Sequence, residues 1–259
     1  MRLATFNLLH GRSPDDGLVD PERLTAAVGA IDADILALQE VDRDQSRSGG
    51  LDQTAIAARA LGAAEHRFAA ALVGTPGGVF RRLRADDDGF GQPCYGVGLV
   101  SRYPVVSWQV FRLRSSPVRS PMVVPGMGRR LVLLDDEPRV VLAAVVQTPV
   151  GRLTVAATHL SFVPGWNVLQ LRQVLRALRS LPGPRLLMGD LNLPAGAVRL
   201  VTRWRPLGGA RTFPSVVPRV QLDHMLADPD ALAMLPPVRD VHTPLSVVSD
   251  HRPLVIDLG

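Results

Sequence analysis

The chain has 259 residues, 46 % of them hydrophobic and 20 % charged, with a mean hydropathy of +0.14 and a formal charge of +5. These figures describe a globular chain able to bury a large core, and they exclude a disordered or collagen-like one. One cysteine, Cys94, excludes an intramolecular disulfide and a multi-cysteine zinc site, and no apolar run nears the ~20 residues that span a bilayer. All 29 basic residues are arginine. The planar guanidinium fork suits a phosphorylated partner, but a base-composition bias that replaces lysine explains the same fact more simply. The opening MRLATFNLLHG turns at His10-Gly11, too early for a signal-peptide core, so the expectation is a reduced, cytoplasmic protein.

Taken in chain order, Arg2-Leu9 reads as a strand ending near Asn7, followed by a turn-rich stretch to Gly17. Asp20-Pro21-Glu22 is a helix start, with a capping side chain, proline at the first helical position and an acid in the first turn. Leu24, Ala27, Val28 and Ile31 then share one face. Asp34-Glu40 is a short apolar run suited to a buried strand, and Thr54-Leu61 a second helix. Gly74-Pro93, rich in Gly, Pro, Asp and Arg, reads as a long surface loop. Strands follow at Tyr95-Ser101, Val105-Leu113, Arg129-Leu134, Val140-Gln147 and Arg152-Thr158, the last two joined by a hairpin turn at Thr148-Gly151. A third helix covers Trp166-Leu181, with Gly183 beyond its end, and short strands close the chain at Leu186-Met188, Val220-Leu226 and Leu254-Leu258. With no repeat and no long linker, the pattern predicts one domain over 1–259, an α/β (α+β) fold of two packed sheets covered by helices.

Chemistry-bearing residues gather where apolar strands end: Phe6-Asn7, Leu38-Gln39-Glu40, Thr158-His159-Leu160, Gly189-Asp190-Leu191-Asn192 and Ser249-Asp250-His251. Gln221-Leu222-Asp223-His224 also puts an acid inside what should be a buried strand. Burying a carboxylate costs several kcal/mol unless it is paired or bound to metal. Each segment has a bland alternative. Asn7 suits a strand-end turn, Glu40 with Asp42 and Asp44 a solvated acidic loop, and Asp190 and Asn192 a loop bonding its own backbone. His159 suits a hydrogen-bonded structural histidine, and Ser249-His251 a capped turn before Pro253. Six such placements in one chain point instead to a common site at the strand ends.

Read in order, these segments resemble the endonuclease/exonuclease/phosphatase superfamily, the deoxyribonuclease-I-like metal-dependent phosphoesterases. The resemblance runs from Arg2 to Leu254, and Tyr95-Arg102 is similar to the family strand that opens on an active-site tyrosine. It implies a four-layer sandwich of two mixed sheets flanked by helices. It also implies Mg²⁺ (or Mn²⁺) held by Asn7, Glu40 and Asp250, a hard-oxygen set suited to those ions over zinc. By the same resemblance, Asp190 and Asn192 hold the attacking water and a phosphate oxygen, His251 is the catalytic histidine oriented by Asp223, and His159 and Tyr95 donate to the phosphate. Both Asp190 and His251 fit as acceptor of the water's proton.

The implied activity is that of a phosphodiesterase hydrolysing a P–O bond by in-line attack of an activated water, on a phosphoester that is small or a nucleic acid. Two alternatives stand beside it: a nuclease acting on DNA or RNA, and a catalytically silent module binding phosphorylated ligands. Gln39-Glu40-Val41-Asp42-Arg43 departs from the Gln-Glu-Thr-Lys of apurinic-site endonucleases, and Leu9 stands where that branch places an acid. The acidic run Asp86-Asp88 interrupts the arginines 81, 82, 84, 112, 114, 119, 129 and 130, which disfavours a continuous duplex track. No membrane span and no obligate protein partner are expected.

Overall fold

The computed structural model describes residues 1–84, 87–117, 120–123 and 131–259, with 120–123 and 131–134 described by backbone alone. The expected positions Asp86, Arg119, Arg129 and Arg130 lie outside the described residues. The chain runs β1 (Arg2–Asn7), a 3₁₀ turn (Leu9–Gly11), α1 (Pro21–Ile31), β2 (Ile35–Arg43), a second 3₁₀ turn (Ser46–Ser48), α2 (Gln53–Leu61), β3 (Glu65–Gly74), β4 (Phe80–Arg82), β5 (Cys94–Ser101) and β6 (Val105–Leu113). It continues through β7 (Ser120–Val123), β8 (Leu131–Leu134), β9 (Arg139–Thr148), β10 (Gly151–His159), α3 (Trp166–Leu178), β11 (Arg185–Asp190), α4 (Ala195–Val201) and β12 (Arg205–Pro206). The last elements are β13 (Asp223–Ala227), α5 (Pro229–Met234), β14 (Val238–His242) and β15 (Leu254–Leu258).

Two mixed sheets result, in the orders β14-β15-β1-β2-β5-β3-β4 and β12-β13-β11-β10-β9-β6. Neighbouring residues of the central strands serve opposite faces. Leu3, Ile35, Ala37, Val97 and Leu99 join Leu142, Val155, Leu186 and Met225 in the core between the sheets. Ala4, Phe6, Leu36, Leu38 and Val100 pack outward against Leu24, Val28, Ile56 and Leu61 of α1 and α2. On the far side Leu171, Val174 and Leu178 of α3 cover Val141, Ala156 and Leu187. Strands buried on both faces read as continuous apolar runs, which is why β2 and β5 are legible as strands but show no alternation. The layers are therefore helices, sheet, sheet, helices.

Asp20 caps α1 by accepting the Arg23 amide at 2.9 Å, as its sequence implies. Several elements differ from expectation. β3 has no counterpart in the sequence reading, because its first half, Glu65-His66-Arg67, is charged and its middle is alanine. The expected loop Gly74-Pro93 contains β4, paired with β3 from Leu72–Arg82 to Gly74–Phe80. Helix α3 ends at Leu178, short of Leu181, and Gly183 does not cap it. The expected strand from Val220 starts at Asp223; Val220 makes only an isolated bridge to Phe213. β2 runs past Glu40 to Arg43 through an irregularity between Leu38 and Val41, where Glu40 takes φ 53°. A bulge of this kind re-aims a side chain at the cost of one ladder pair.

Candidate active site

The sheet register brings the chemistry-bearing residues to one end of the sandwich. Asn7 ends β1 beside Gln39 of β2, one residue before Glu40. In the second sheet His159 ends β10 opposite Asp190, which ends β11 opposite Asp223 of β13. The loop into β15 returns Ser249-Asp250-His251 to the same end, tied there by the Ser249 hydroxyl donating to the Asn7 carbonyl at 2.6 Å. That hydroxyl also accepts the His251 amide at 3.0 Å. Glu40, Asn192, Ser249 and His10 all adopt left-handed φ values between 46° and 75°. Such conformations cost about 1–3 kcal/mol each outside glycine and concentrate where surrounding structure over-determines them.

Asn7 Nδ2 donates to Glu40 Oε1 and Asp190 Oδ2, both at 3.1 Å, while its Oδ1 accepts the Leu9 amide. One amide thus links the two sheets. Asp190 Oδ1 accepts the Asn192 amide at 2.9 Å. His251 Nδ1 bonds Asp223 Oδ2 at 2.9 Å and its Nε2 lies 3.8 Å from Asp190 Oδ2. The Phe213 ring packs 4.9 Å from the imidazole. Asp190, Asp223 and His251 bring one ligand-type atom each within 4.8 Å of one another, all three buried. His159 Nε2 faces Asn192 Nδ2 at 3.1 Å and Asp190 Oδ2 at 3.6 Å. Asp223 Oδ1 is buried with no partner among the described residues.

Burial raises Glu40 to about 7, and the like charges of Asp250 and Glu137 add to it against the Asn7 bond. Burial also raises Asp190 to about 6, opposed by His251. For His251 burial acts downward, but the carboxylates of Asp223, Asp190 and Asp250 outweigh it and carry the ring to about 10. Burial and the charges of Arg139 and His251 hold His159 well below its ordinary value, so it is neutral. Burial, then Arg47 and Arg12, depress His10 to about 3. Tyr95 is buried with the Arg47 guanidinium 5.6 Å from its ring centre, and burial followed by the Glu40 charge pushes its phenol well up.

Four residues at this end were not anticipated: Arg47, Asp136, Glu137 and Arg139. Arg47 clamps the buried Asp42 carboxylate through Nε and NH2 at 2.8 and 2.7 Å. Arg139, only 4 % exposed, contacts His159 Nδ1 at 3.1 Å and lies 3.9 and 3.8 Å from Asp136 and Glu137. The acid-rich Asp135-Glu137 stands before a strand, where charge is ordinary, so it carries no signal of its own. It is decoded only by the antiparallel pairing that sets the start of β9 beside the end of β10. A groove of about 910 Å³ along β3 and β6 contains none of the site residues.

A two-sheet sandwich with an acid–histidine cluster at one end defines the deoxyribonuclease-I-like class. A family model described as the Endonuclease/Exonuclease/phosphatase family matches residues 4–251, and the chain belongs to that family. Among solved structures, an endonuclease/exonuclease/phosphatase from Beutenbergia cavernae is 23 % identical, with TM-score 0.65 over 100 % of this chain and 72 % of that one. One from Bacteroides vulgatus is 18 % identical, with TM-score 0.67 over 100 % and 98 %. A mannosyl-6-phosphatase from Bacteroides thetaiotaomicron is 17 % identical, with TM-score 0.60 over 100 % and 99 %. No curated protein matches the sequence significantly. Among the described residues, no helix is long and apolar enough to cross a membrane.

Proposed function

We propose that this chain is a Mg²⁺- or Mn²⁺-dependent phosphodiesterase that hydrolyses a P–O bond by in-line attack of water. The carrying observation is the facing of the Asp223–His251 pair onto Asp190, at 2.9 and 3.8 Å, across from Glu40. Members of the family are phosphoester hydrolases. The two sheets and their helices support reading 1–259 as one domain, and the lone, buried Cys94 supports a cytoplasmic protein.

The donor set suits a hard divalent cation. Glu40 is raised by its own burial and by Asp250, a condition that a cation relieves, and the donors are oxygens. Glu40 and Asp250 would hold the ion; Asn7, a third ligand by the family resemblance, has its amide engaged by Glu40, Asp190 and the Leu9 N–H, and in this reading sets the Glu40 carboxylate between the sheets. When bound, the ion supplies charge neutralisation at the phosphoryl group. Asp190 is placed to accept the proton as the water oxygen bonds phosphorus and the ester P–O bond breaks to release an alkoxide. His251, charged through Asp223, stabilises the negative charge that builds. His159, Asn192 and Tyr95 donate to the phosphate.

A compact ester fits better than a long duplex, because arginines of the candidate substrate loops are spent internally. Arg81 bonds Asp87 and Gln92, Arg82 bonds Ser115, and Arg112 holds the carbonyls of Ala70, Arg84 and Asp87. A duplex track needs many free phosphate contacts. The test is a hydrolysis panel of small phosphodiesters, phosphomonoesters, phospholipids, plasmid and oligonucleotides with Mg²⁺, Mn²⁺ or EDTA. Small-diester turnover lost in EDTA is expected; undiminished turnover in excess EDTA sinks the mechanism.

A further inference from the structure

Arg139 is buried against His159 at the start of β9. Its NH1 lies 3.1 Å from His159 Nδ1. A guanidinium carries only N–H donors and stays protonated, so Nδ1 has to be the lone-pair nitrogen. The imidazole is neutral, flanked by the cations Arg139 and His251, with Asp190 the carboxylate that faces it. Its single proton is therefore on Nε2, the nitrogen turned toward the site. There Nε2 meets Asn192 Nδ2 at 3.1 Å. The Asn192 amide cannot be turned over to present oxygen, because Nδ2 already donates to the Leu160 carbonyl at 3.0 Å and Oδ1 would oppose that carbonyl. Two N–H donors thus stand side by side with no acceptor between them.

We propose that Arg139 is a positioning residue: by occupying Nδ1 it fixes His159 as the Nε2–H tautomer, so that His159 and Asn192 form a paired donor for one non-bridging phosphoryl oxygen. The oxygen-binding half of this rests on the phosphodiesterase reading; the tautomer does not. Arg139 is itself steadied, since Asp136 beside it accepts the Ser161 hydroxyl at 2.8 Å and the Ser116 amide at 2.5 Å. A pair of donors aimed where charge develops acts chiefly on the transition state, so its loss falls on kcat more than on KM.

The first measurement is long-range ¹H–¹⁵N correlation on metal-free protein labelled at its 6 histidines, with His159 assigned by loss of its signals in His159→Asn. A pyridine-type Nδ1 and a protonated Nε2 are expected; a proton on Nδ1 overturns the proposal with Arg139 left in place. Arg139→Met should then give an averaged or reversed tautomer and lower kcat by about 10- to 100-fold, the usual effect of removing a group that orients a site residue. Arg139→Lys, which keeps a cationic donor, should restore the wild-type ¹⁵N pattern and part of kcat. A folded Arg139→Met with the wild-type tautomer and kcat refutes the role. Wild-type protein with the Nε2–H tautomer and no phosphoesterase activity under any metal instead overturns the functional reading, and the oxygen-binding half with it.

Discussion

Replacing Asp223 by asparagine keeps the shape of the His251 partner and removes its charge. His251 stands at about 10 against an ordinary 6.5, with burial working downward and Asp223, Asp190 and Asp250 working upward. At about 1.4 kcal/mol per pH unit, the carboxylates favour the charged ring by roughly 5 kcal/mol net of burial. A group whose folded value is raised contributes fully below the unfolded value and loses that contribution as pH climbs through the folded value. The contribution is therefore complete below about pH 6.5, stands near 4 kcal/mol at pH 7, and is gone a little above pH 10. Asp223 is the only one of the three carboxylates within bonding distance of the ring, at 2.9 Å against 3.8 Å for Asp190. Asp223→Asn should accordingly lose about 2–4 kcal/mol at pH 7, and far less at pH 10.5. Urea denaturation of both proteins in EDTA from pH 6 to 10.5 reads this out, and the difference between the two curves cancels the titrating groups that the Asp223 charge does not reach. In the metal-loaded protein kcat should fall by about 10³- to 10⁴-fold, because an amide does not support the charge on the ring. Wild-type and variant curves that run parallel across this range would refute the argument.

Glu40→Gln removes a carboxylate raised to about 7, whose cost is absent below about pH 4.5 and complete above pH 7. The metal-free variant should be about 1–3 kcal/mol more stable than wild type at pH 8, while calorimetry shows weakened Mg²⁺ or Mn²⁺ binding. His251→Ala should lower kcat by about 100-fold or more with metal affinity little changed; the reverse pattern in these two variants would overturn the division of roles. Arg47→Met strips the fully buried Asp42 carboxylate of its bidentate partner and should cost about 3–5 kcal/mol in thermal or urea melts. Gly189→Ala would set a Cβ 1.9 Å from the Thr158 carbonyl oxygen at φ 148°, so the β10–β11 pairing should fail and the protein should express unfolded.

The elements that were legible in sequence are those whose local signal and tertiary role agree. Asp20-Pro21-Glu22 states its helix start outright, and Leu171, Val174 and Leu178 mark the buried face of α3. β3 was not legible because its strand state is imposed by β5, with Phe68 opposite Gly98 and Ala70 opposite Gly96. Gly96 is what allows the approach, since a Cβ there would lie 2.0 Å from the Ala69 oxygen. At the site, residues that end apolar strands stood out because a polar group there violates the strand's own pattern. Arg139 begins a strand and Glu137 lies just before it, where charge is ordinary, so only the antiparallel β9–β10 pairing reveals that they belong.

The site is assembled from groups that each work against folding. Glu40 and Asp190 are carboxylates whose charge burial disfavours, and His159 is an imidazole whose charge burial and Arg139 exclude. Glu40, Asn192 and Ser249 also spend backbone energy in left-handed conformations. The three apolar clusters that hold β1, β2, β10 and β11 from both faces over-determine these positions. That ordering explains why the polar residues sit at strand ends rather than along them. A strand end inherits the rigidity of two packed faces and still opens to solvent on its third side, where charge can be met by a cation and a phosphoryl group. Elsewhere in the molecule the same charges meet protein partners, as Arg2 does with Asp257 and Arg185 with Asp228. At this end Asp223 Oδ1 is left buried without one among the described residues. A buried carboxylate oxygen without a partner among the described residues, at the end of the sandwich where the acids and histidines gather, is a physical mark of this site.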